Sequence, residues 1–163
     1  MPESLILNSP EQTEAAAARF AAALNKVRPE QLVVHLEGTL GAGKTTFTRG
    51  VLRALGHSGR VPSPTYTLIE PYECAGYRIS HLDLYRLQDG AELEFLGLDE
   101  LTGPGSVLLI EWPSRAAGYL QSNDIEIKLT VIPEGRALEL SAASALGEAV
   151  AEEFVRRSTV TNP

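Results

Sequence analysis

The residues from Gly38 to Thr45, GTLGAGKT, match the phosphate-binding pattern GxxxxGK[ST]. Glycines at these positions let the backbone curl around an anion with its N–H groups pointing inward, and a helix beginning at Thr45 adds a favourable dipole. The Lys44 ammonium can bridge the β- and γ-phosphates, and the Thr45 hydroxyl can bind Mg²⁺. Chance produces this pattern in roughly one chain of this length in 200. The pattern therefore predicts a nucleotide site. The residues expected to contact the nucleotide phosphates are Gly41, Ala42, Gly43, Lys44, Thr45 and Thr46.

Two carboxylates stand where such a loop needs an acid to hold Mg²⁺ or its water shell. Glu111 directly follows the apolar run 107–110, and Asp83 ends a second predicted strand. In phosphate-loop enzymes this acid lies at the carboxyl end of a neighbouring strand. Both residues are therefore candidates for the metal site, and the alternative for each is an exposed acid at a strand end. His81 can reach the same site, although a structural role is favoured for it.

The segment Ser63-Pro64-Thr65 lies between the helix after the phosphate loop and Asp83. Proteins with such a loop often place a switch segment here, in which a threonine senses the γ-phosphate and Mg²⁺. The alternative is a rigid proline turn.

Composition and charge limit the class of protein. The 163 residues are 44% hydrophobic and 21% charged, which is typical of one soluble globular domain. Fourteen Lys plus Arg against 21 Asp plus Glu leave a net charge of −7, which argues against a dedicated nucleic-acid binder. The single cysteine, Cys74, can form no internal disulfide, and the first residues, MPES, lack the features of a signal peptide. We therefore expect a single cytoplasmic domain, residues 1–163, with no membrane segment.

Strands and helices alternate in the first half of the chain, and a hairpin and a meander follow. Apolar runs and period-two alternation predict strands at 31–37, 66–72, 77–84, 106–110, 124–132 and 137–141. Helical spacing and capping residues predict helices at 11–24, 45–55, 89–96 and 144–157. This order predicts a three-layer α/β domain of the P-loop NTPase type, with a mixed, mainly parallel sheet plus a hairpin and meander.

Three functions other than ATP hydrolysis are compatible with a nucleotide site. A small metabolite kinase usually carries several arginines in a lid after the mid-chain strands, whereas the corresponding arginines of this chain are scattered; they are Arg78, Arg86, Arg115 and Arg136. A regulatory GTPase needs an NKxD motif after the loop, and the only Asn-Lys pair, at 25–26, precedes it. A non-catalytic module that binds nucleotide remains a further alternative. Steady release of free phosphate without an acceptor separates an ATPase from a kinase.

Five segments of the chain, taken together, resemble one family, the bacterial tRNA threonylcarbamoyladenosine biosynthesis ATPases called TsaE. They occur in the family's order and are GTLGAGKTTFTRG (38–50), VPSPTYTLIEPY (61–72), HLDLYRL (81–87), ELEFLGLDE (92–100) and IEWP (110–113). The combination is far more specific than the phosphate loop alone. Thr39 stands where many members carry Asp, but it occupies a variable position of the loop.

The resemblance implies an ATPase that uses ATP and Mg²⁺ and assists the TsaB and TsaD proteins. Together they attach a threonylcarbamoyl group to adenosine 37 of tRNAs that read ANN codons. The resemblance therefore implies that this chain contacts tRNA only as part of the complex. By the family pattern, Lys44 and Thr45 hold the phosphates and Mg²⁺, and Glu111 is a metal ligand. Asp83 is a catalytic acid or one that organises Mg²⁺, and Ser63-Pro64-Thr65 is a switch-like loop, so Lys44, Asp83 and Thr65 are the residues expected to act in catalysis. The nucleotide base is expected between the region of Glu11 and that of Arg136.

Overall fold

The chain folds as one sheet with helices on one side and short turns of helix on the other. The computed structural model describes residues 3–158, so Met1 and Pro2 of the MPES segment lie outside the described residues. The strands and helices, in chain order, are β1 (Glu3–Leu7), α1 (Pro10–Val27), β2 (Gln31–Glu37), α2 (Lys44–Ala54), β3 (Ile69–Cys74), β4 (Tyr77–Asp83), β5 (Ser106–Glu111), β6 (Ile125–Ile132), β7 (Gly135–Ala142) and α3 (Ala145–Ser158). Within the same residues, 3-10 helices occupy Gly90–Leu96, Leu98–Leu101 and Pro113–Ala116.

The sheet is mixed, as the sequence predicts. Across residues 3–158 its seven strands are ordered β1-β7-β6-β2-β5-β4-β3. β2 pairs in parallel with β5 and β6, and β4 pairs in parallel with β5. The hairpin β3–β4 and the meander β6–β7–β1 add antiparallel pairs at the two sides. The predicted α/β class, with a hairpin and a meander beside parallel strands, is confirmed.

The parallel strands bring their carboxyl ends, where the candidate acids lie, to one edge of the sheet. In the register of the central strands, Glu111 of β5 lies opposite Leu36 of β2 on one side and Asp83 of β4 on the other. The phosphate loop leaves β2 at this same edge. Both acids therefore meet the start of α2, as expected for ligand sites at the carboxyl ends of parallel strands.

The two faces of the sheet are covered differently. Leu32, Val34 and Leu36 of β2 belong to a core shared with the three α-helices, whereas Val33 belongs to a second core. That second core contains Leu93 and other apolar residues of the segments in 3-10 helices. The domain thus has three layers, but the layer opposite the α-helices is built of short 3-10 turns.

Helices α1 and α2 pack closely because both present small residues. A Cβ on Gly50 of α2 would lie 2.7 Å from the Cβ of Ala17 and 3.2 Å from the Cα of Glu14, so only glycine fits this crossing. The rings of Phe20 and Phe47 meet beside it, with centroids 5.9 Å apart. This packing fixes α2, and with it the phosphate loop.

Two local features differ from the prediction. β1 is a strand that the sequence patterns do not predict; it pairs antiparallel with β7 at the edge of the sheet. The predicted strand 66–72 begins only at Ile69, because Leu68 has a left-handed φ of 67° and its N–H donates to the carbonyl of Pro64. In contrast, the predicted helix over 11–24 is present as α1, and Ser9 caps its start with a hydroxyl that accepts a hydrogen bond from the Gln12 N–H.

Over residues 3–158, no helix is both long and apolar enough to cross a lipid bilayer.

Candidate functional site

The phosphate loop joins β2 to α2, and its glycines give it its shape. Gly41 and Gly43 have φ values of 77° and 108°, a left-handed region that favours glycine. A Cβ on Gly38 would lie 2.6 Å from the carbonyl oxygen of Leu129, so a larger residue does not fit. No side chain within residues 3–158 caps the start of α2. The N–H groups of its first turn are thus available to an anion.

Lys44 is a buried cation at the end of this loop, with 5% of its surface exposed. Its Nζ donates hydrogen bonds to the carbonyl oxygens of Gly38 and Thr39, at 2.5 and 3.2 Å. Burial lowers the pKa of Lys44, and the carboxylates of Glu111 and Asp83 oppose that shift. The ammonium group is therefore held by neutral carbonyls, which phosphate oxygens can replace as partners.

Thr45 and Glu111, the two predicted metal ligands, are in contact. The Thr45 hydroxyl lies 3.4 Å from Oε1 and 3.2 Å from Oε2 of Glu111, and it donates to this carboxylate. Glu111 is 3% exposed, so its carboxylate needs such donors or a cation. A hydroxyl and a carboxylate at the start of α2 are the hard oxygen ligands that Mg²⁺ prefers.

Asp83 is buried at the end of β4 and connects the site to the Ser63–Thr65 segment. Its Oδ1 accepts a hydrogen bond from the Tyr85 N–H at 3.0 Å, and its Oδ2 accepts one from the Ser63 hydroxyl at 3.3 Å. The Ser63 and Thr65 hydroxyl oxygens lie 2.8 Å apart. Because the Ser63 proton points to the carboxylate, Thr65 donates to Ser63. Among residues 3–158, Thr65 is thus linked to Asp83 through Ser63 alone, a link that the sequence does not indicate.

A cavity of about 160 Å³ lies beside the phosphate loop, between the start of α1 and β7. Its lining includes Asn8, Thr13, Thr46 and Arg136. The Arg136 guanidinium donates to the carbonyl oxygen of Gly41 at 3.1 Å, which joins β7 to the loop.

The donor set fits Mg²⁺ bound together with phosphates. Within residues 3–158, no group of three or more His, Cys, Asp or Glu side chains can hold a metal ion by itself. Mg²⁺ usually takes one or two protein oxygens and completes its shell with water and substrate phosphates. The Thr45 hydroxyl and the Glu111 carboxylate, beside a loop shaped for phosphate, meet that requirement.

Comparison with known proteins agrees with this geometry. The model of the family described as threonylcarbamoyl adenosine biosynthesis protein TsaE matches residues 7–138. The chain belongs to the TsaE family. It is 45% identical over 137 residues to the tRNA threonylcarbamoyladenosine biosynthesis protein TsaE of Haemophilus influenzae, an alignment that covers 83% of this chain and 87% of that protein.

Two further relatives extend the TsaE similarity over nearly the whole chain. The TsaE protein of Bacillus subtilis is 36% identical over 155 residues, 94% of each chain. The crystal structure of Bacillus subtilis YdiB superposes with a TM-score of 0.76 at 30% identity, covering 97% of this chain and 95% of that one. The fold and the family are thus supported by both sequence and structure.

Of the two residues expected near the nucleotide base from the TsaE resemblance, one lines the cavity beside the phosphate loop and the other does not. Arg136 lines the cavity beside the phosphate loop. Glu11 is exposed on the first turn of α1 and is not among the lining residues, although its neighbour Pro10 is. Contact of either side chain with a nucleotide base stays a prediction.

Sequence reasoning missed the structural role of Trp112 in this TsaE-family site. Trp112 has a left-handed φ of 58°, which a non-glycine residue rarely adopts. Its ring centroid lies 4.1 Å from Nζ of Lys44 and 5.0 Å from the ring of Tyr85. The indole therefore gives Lys44 a cation–π contact in addition to the loop carbonyls. The IEWP motif was the available signal, but it indicated only the end of a strand.

His81 contacts the proposed metal ligand Glu111 directly, which the sequence does not indicate. It is fully buried, and its Nε2 lies 2.5 Å from Oε2 of Glu111.

Proposed function

We propose that this chain is a Mg²⁺-dependent ATP hydrolase that works with TsaB and TsaD in the threonylcarbamoylation of adenosine 37 in tRNAs reading ANN codons. The observation that carries the proposal is the meeting of Lys44, Thr45, Glu111 and Asp83 around the start of α2, beside an uncapped phosphate loop. The names of the TsaE relatives support the role in tRNA modification. The proposed location is the cytoplasm, the compartment that holds tRNA.

In this proposal the phosphates of ATP lie against the loop and the first turn of α2. The N–H groups at 41–46 donate to phosphate oxygens, and Lys44 exchanges its carbonyl partners for the β- and γ-phosphates. The cavity that Arg136 lines has room beside the loop for the base end of the nucleotide.

The residues that would hold Mg²⁺ are Thr45 and Glu111. Bound there, the ion would draw negative charge from the phosphate oxygens during cleavage. Asp83 lies next to Glu111 in the β4–β5 register, and its oxygens accept from the Ser63 hydroxyl and the Tyr85 N–H. Its carboxylate is the group proposed to orient the attacking water or accept its proton.

Hydrolysis is favoured over transfer to a metabolite, because the arginines after the mid-chain strands are scattered along the sequence and do not form the cluster typical of a kinase lid; they are Arg78, Arg86, Arg115 and Arg136. Incubation of the purified chain with Mg²⁺ and ATP tests this choice. Steady release of free phosphate without any added acceptor is expected. Release that begins only when a phosphoryl acceptor is added would support the kinase instead.

Replacing Glu111 with alanine is expected to weaken nucleotide binding in Mg²⁺ by about 10–100-fold, the usual cost of disturbing a metal site. Binding in excess EDTA should change little, since the carboxylate is proposed to act on the metal and not on the phosphates. Calorimetry with ADP under both conditions measures the two losses. Glu139→Ala, at an exposed acid on β7, is the control. Equal losses with and without Mg²⁺ would make Glu111 a structural residue.

The partner proteins are proposed to detect the nucleotide state through the 61–65 loop. The hydroxyls of Thr65 and Ser63 link this loop to Asp83. A change at Asp83 when the γ-phosphate leaves can therefore alter the conformation of the loop, which lies at the partner-facing side in this proposal. Pro62 and Pro64 limit the freedom of the loop. Binding of TsaB–TsaD is therefore expected to differ between ATP, ADP and no nucleotide.

Thr65→Ala is expected to lower partner-stimulated hydrolysis and tRNA modification more than ATP affinity. The bond that is lost joins two neutral hydroxyls and is worth about 0.5–1.5 kcal/mol, or roughly 2–10-fold in rate. The matched control is Thr67→Ala, two residues after this loop, because the Thr67 hydroxyl donates to the Glu70 carboxylate of β3 at 3.1 Å and lies outside the Thr65–Ser63–Asp83 chain. If Thr65→Ala and Thr67→Ala behave alike, the loop does not transmit the nucleotide state.

A further inference from the structure

A fully buried histidine contacts the proposed metal ligand from within the sheet. His81 has 0% of its surface exposed and stands two residues before Asp83 on β4, so both side chains point to the α2 side of the sheet. Its Nε2 lies 2.5 Å from Oε2 of Glu111. β4 and β5 are neighbours in the sheet, and their pairing fixes the distance between the two residues.

The surroundings of the imidazole determine where its proton lies. Glu111 already accepts from the Thr45 hydroxyl, and a carboxylate in that position has only acceptors to offer. Nδ1 of His81 has no hydrogen-bond partner among residues 3–158. The contact is therefore made by an N–H on Nε2 that donates to Oε2.

The two oxygens of Glu111 are thereby made unequal. Oε2 receives the His81 donor at 2.5 Å and the Thr45 hydroxyl at 3.2 Å. Among the described residues, Oε1 has only the longer contact to Thr45, at 3.4 Å. One oxygen is held by the protein, and the other has capacity left for a further ligand.

We propose that His81 is a positioning residue for Glu111: its Nε2–H fixes the Glu111 carboxylate so that Oε1 is presented to Mg²⁺ or to a metal-bound water. This inference rests on the proposed function, since it needs Glu111 to act on the metal. The fully buried imidazole of His81 has fewer side-chain torsions than Glu111, so it is the more rigid of the two groups. Donors of this kind commonly orient the carboxylates that bind metals.

A pair of substitutions separates positioning from packing. His81→Leu removes the donor and keeps a buried apolar side chain, whereas His81→Gln can return an N–H near the place of Nε2. The control is His35→Leu on β2; His35 is half-buried, and its Nε2 has no partner among the described residues. Binding of the ATP analogue AMP-PNP is measured by calorimetry in Mg²⁺ and in excess EDTA.

His81→Leu should weaken binding in Mg²⁺ by about 10–100-fold, while binding in EDTA stays within about twofold of the parent. His81→Gln should recover most of the loss, and His35→Leu should show none. Equal losses in Mg²⁺ and EDTA, or parental binding by His81→Leu, would overturn the inference. A parent whose affinity is the same in Mg²⁺ and EDTA would instead refute the metal site of the proposed function.

Nitrogen-15 NMR of the imidazole rings tests the geometry in the nucleotide-free parent, independently of whether the variants fold. The His81 signals, assigned in the parent through their bonds to the His81 backbone, should show a proton on Nε2. They should shift in Glu111→Gln, whereas those of His35 should not. A proton on Nδ1 with a bare Nε2 would overturn the inference.

Discussion

Replacement of Lys44 by alanine is expected to lower ATP turnover by roughly 10²–10³-fold, the usual cost of losing a cation that stabilises charge in a transition state. Lys44 is the buried cation of the loop, and its present partners are the neutral carbonyls of Gly38 and Thr39. The Arg136 guanidinium also contacts the loop, but it donates to the Gly41 carbonyl oxygen. Phosphate release from ATP measures the loss.

Two variants keep this test specific. Lys26→Ala removes an exposed lysine from the last turn of α1 and should leave turnover unchanged. Lys44→Met keeps the alkyl chain beside Trp112 but removes the charge, and it should be as inactive as Lys44→Ala. If either Lys44 variant turns over within twofold of the parent, the phosphate site is assigned wrongly.

Asp83→Asn is expected to lower turnover by roughly 10²-fold or more, within the range for loss of a general base. Asparagine is nearly the same size, and its oxygen can still accept from the Tyr85 N–H, as Oδ1 does at 3.0 Å. The Ser63 hydroxyl keeps a polar partner, so the loop should stay in place. The change therefore removes the charge and the proton acceptor with little change of structure. Nucleotide affinity should stay within a few-fold of the parent, measured by calorimetry beside phosphate release.

Asp89 offers a closely matched control for this variant. Its Oδ1 accepts from the N–H two residues later, on Ala91, at 3.0 Å, which repeats the local hydrogen bond of Asp83. Asp89 is exposed at the start of a 3-10 helix. Asp89→Asn should therefore turn over like the parent. Normal hydrolysis by Asp83→Asn would favour a nucleotide-dependent binding module over an ATPase.

The parts of the fold that follow local sequence rules were predictable. The phosphate loop requires glycines at positions of left-handed φ, and Gly41 and Gly43 stand there. Parallel strands bring their carboxyl ends to one edge, so Asp83 and Glu111 could be expected side by side from their places after apolar runs. The contact between Thr45 and Glu111 follows from the same two rules.

The missed features depend on contacts between distant parts of the chain. β1 is a short edge strand whose partner, β7, lies at the other end of the sequence, so its own residues do not reveal the pairing. The left-handed turn at Leu68 is set by its bond to Pro64 and by the N–H of Asp83, which donates to the Leu68 carbonyl. The pairing of His81 with Glu111 requires the register of β4 against β5, which local patterns do not specify.

The proposed function is tested most directly by the rate of phosphate release from Mg²⁺ and ATP, measured for the purified chain alone and mixed with TsaB and TsaD. Turnover should be faster in the mixture than in the isolated chain, because the partners respond to the nucleotide state of the 61–65 loop. Lys44→Ala should lower both rates by roughly 10²–10³-fold. A rate that is the same with and without the partners, together with equal partner affinity in ATP, in ADP and without nucleotide, would contradict an ATPase that serves the TsaB–TsaD complex.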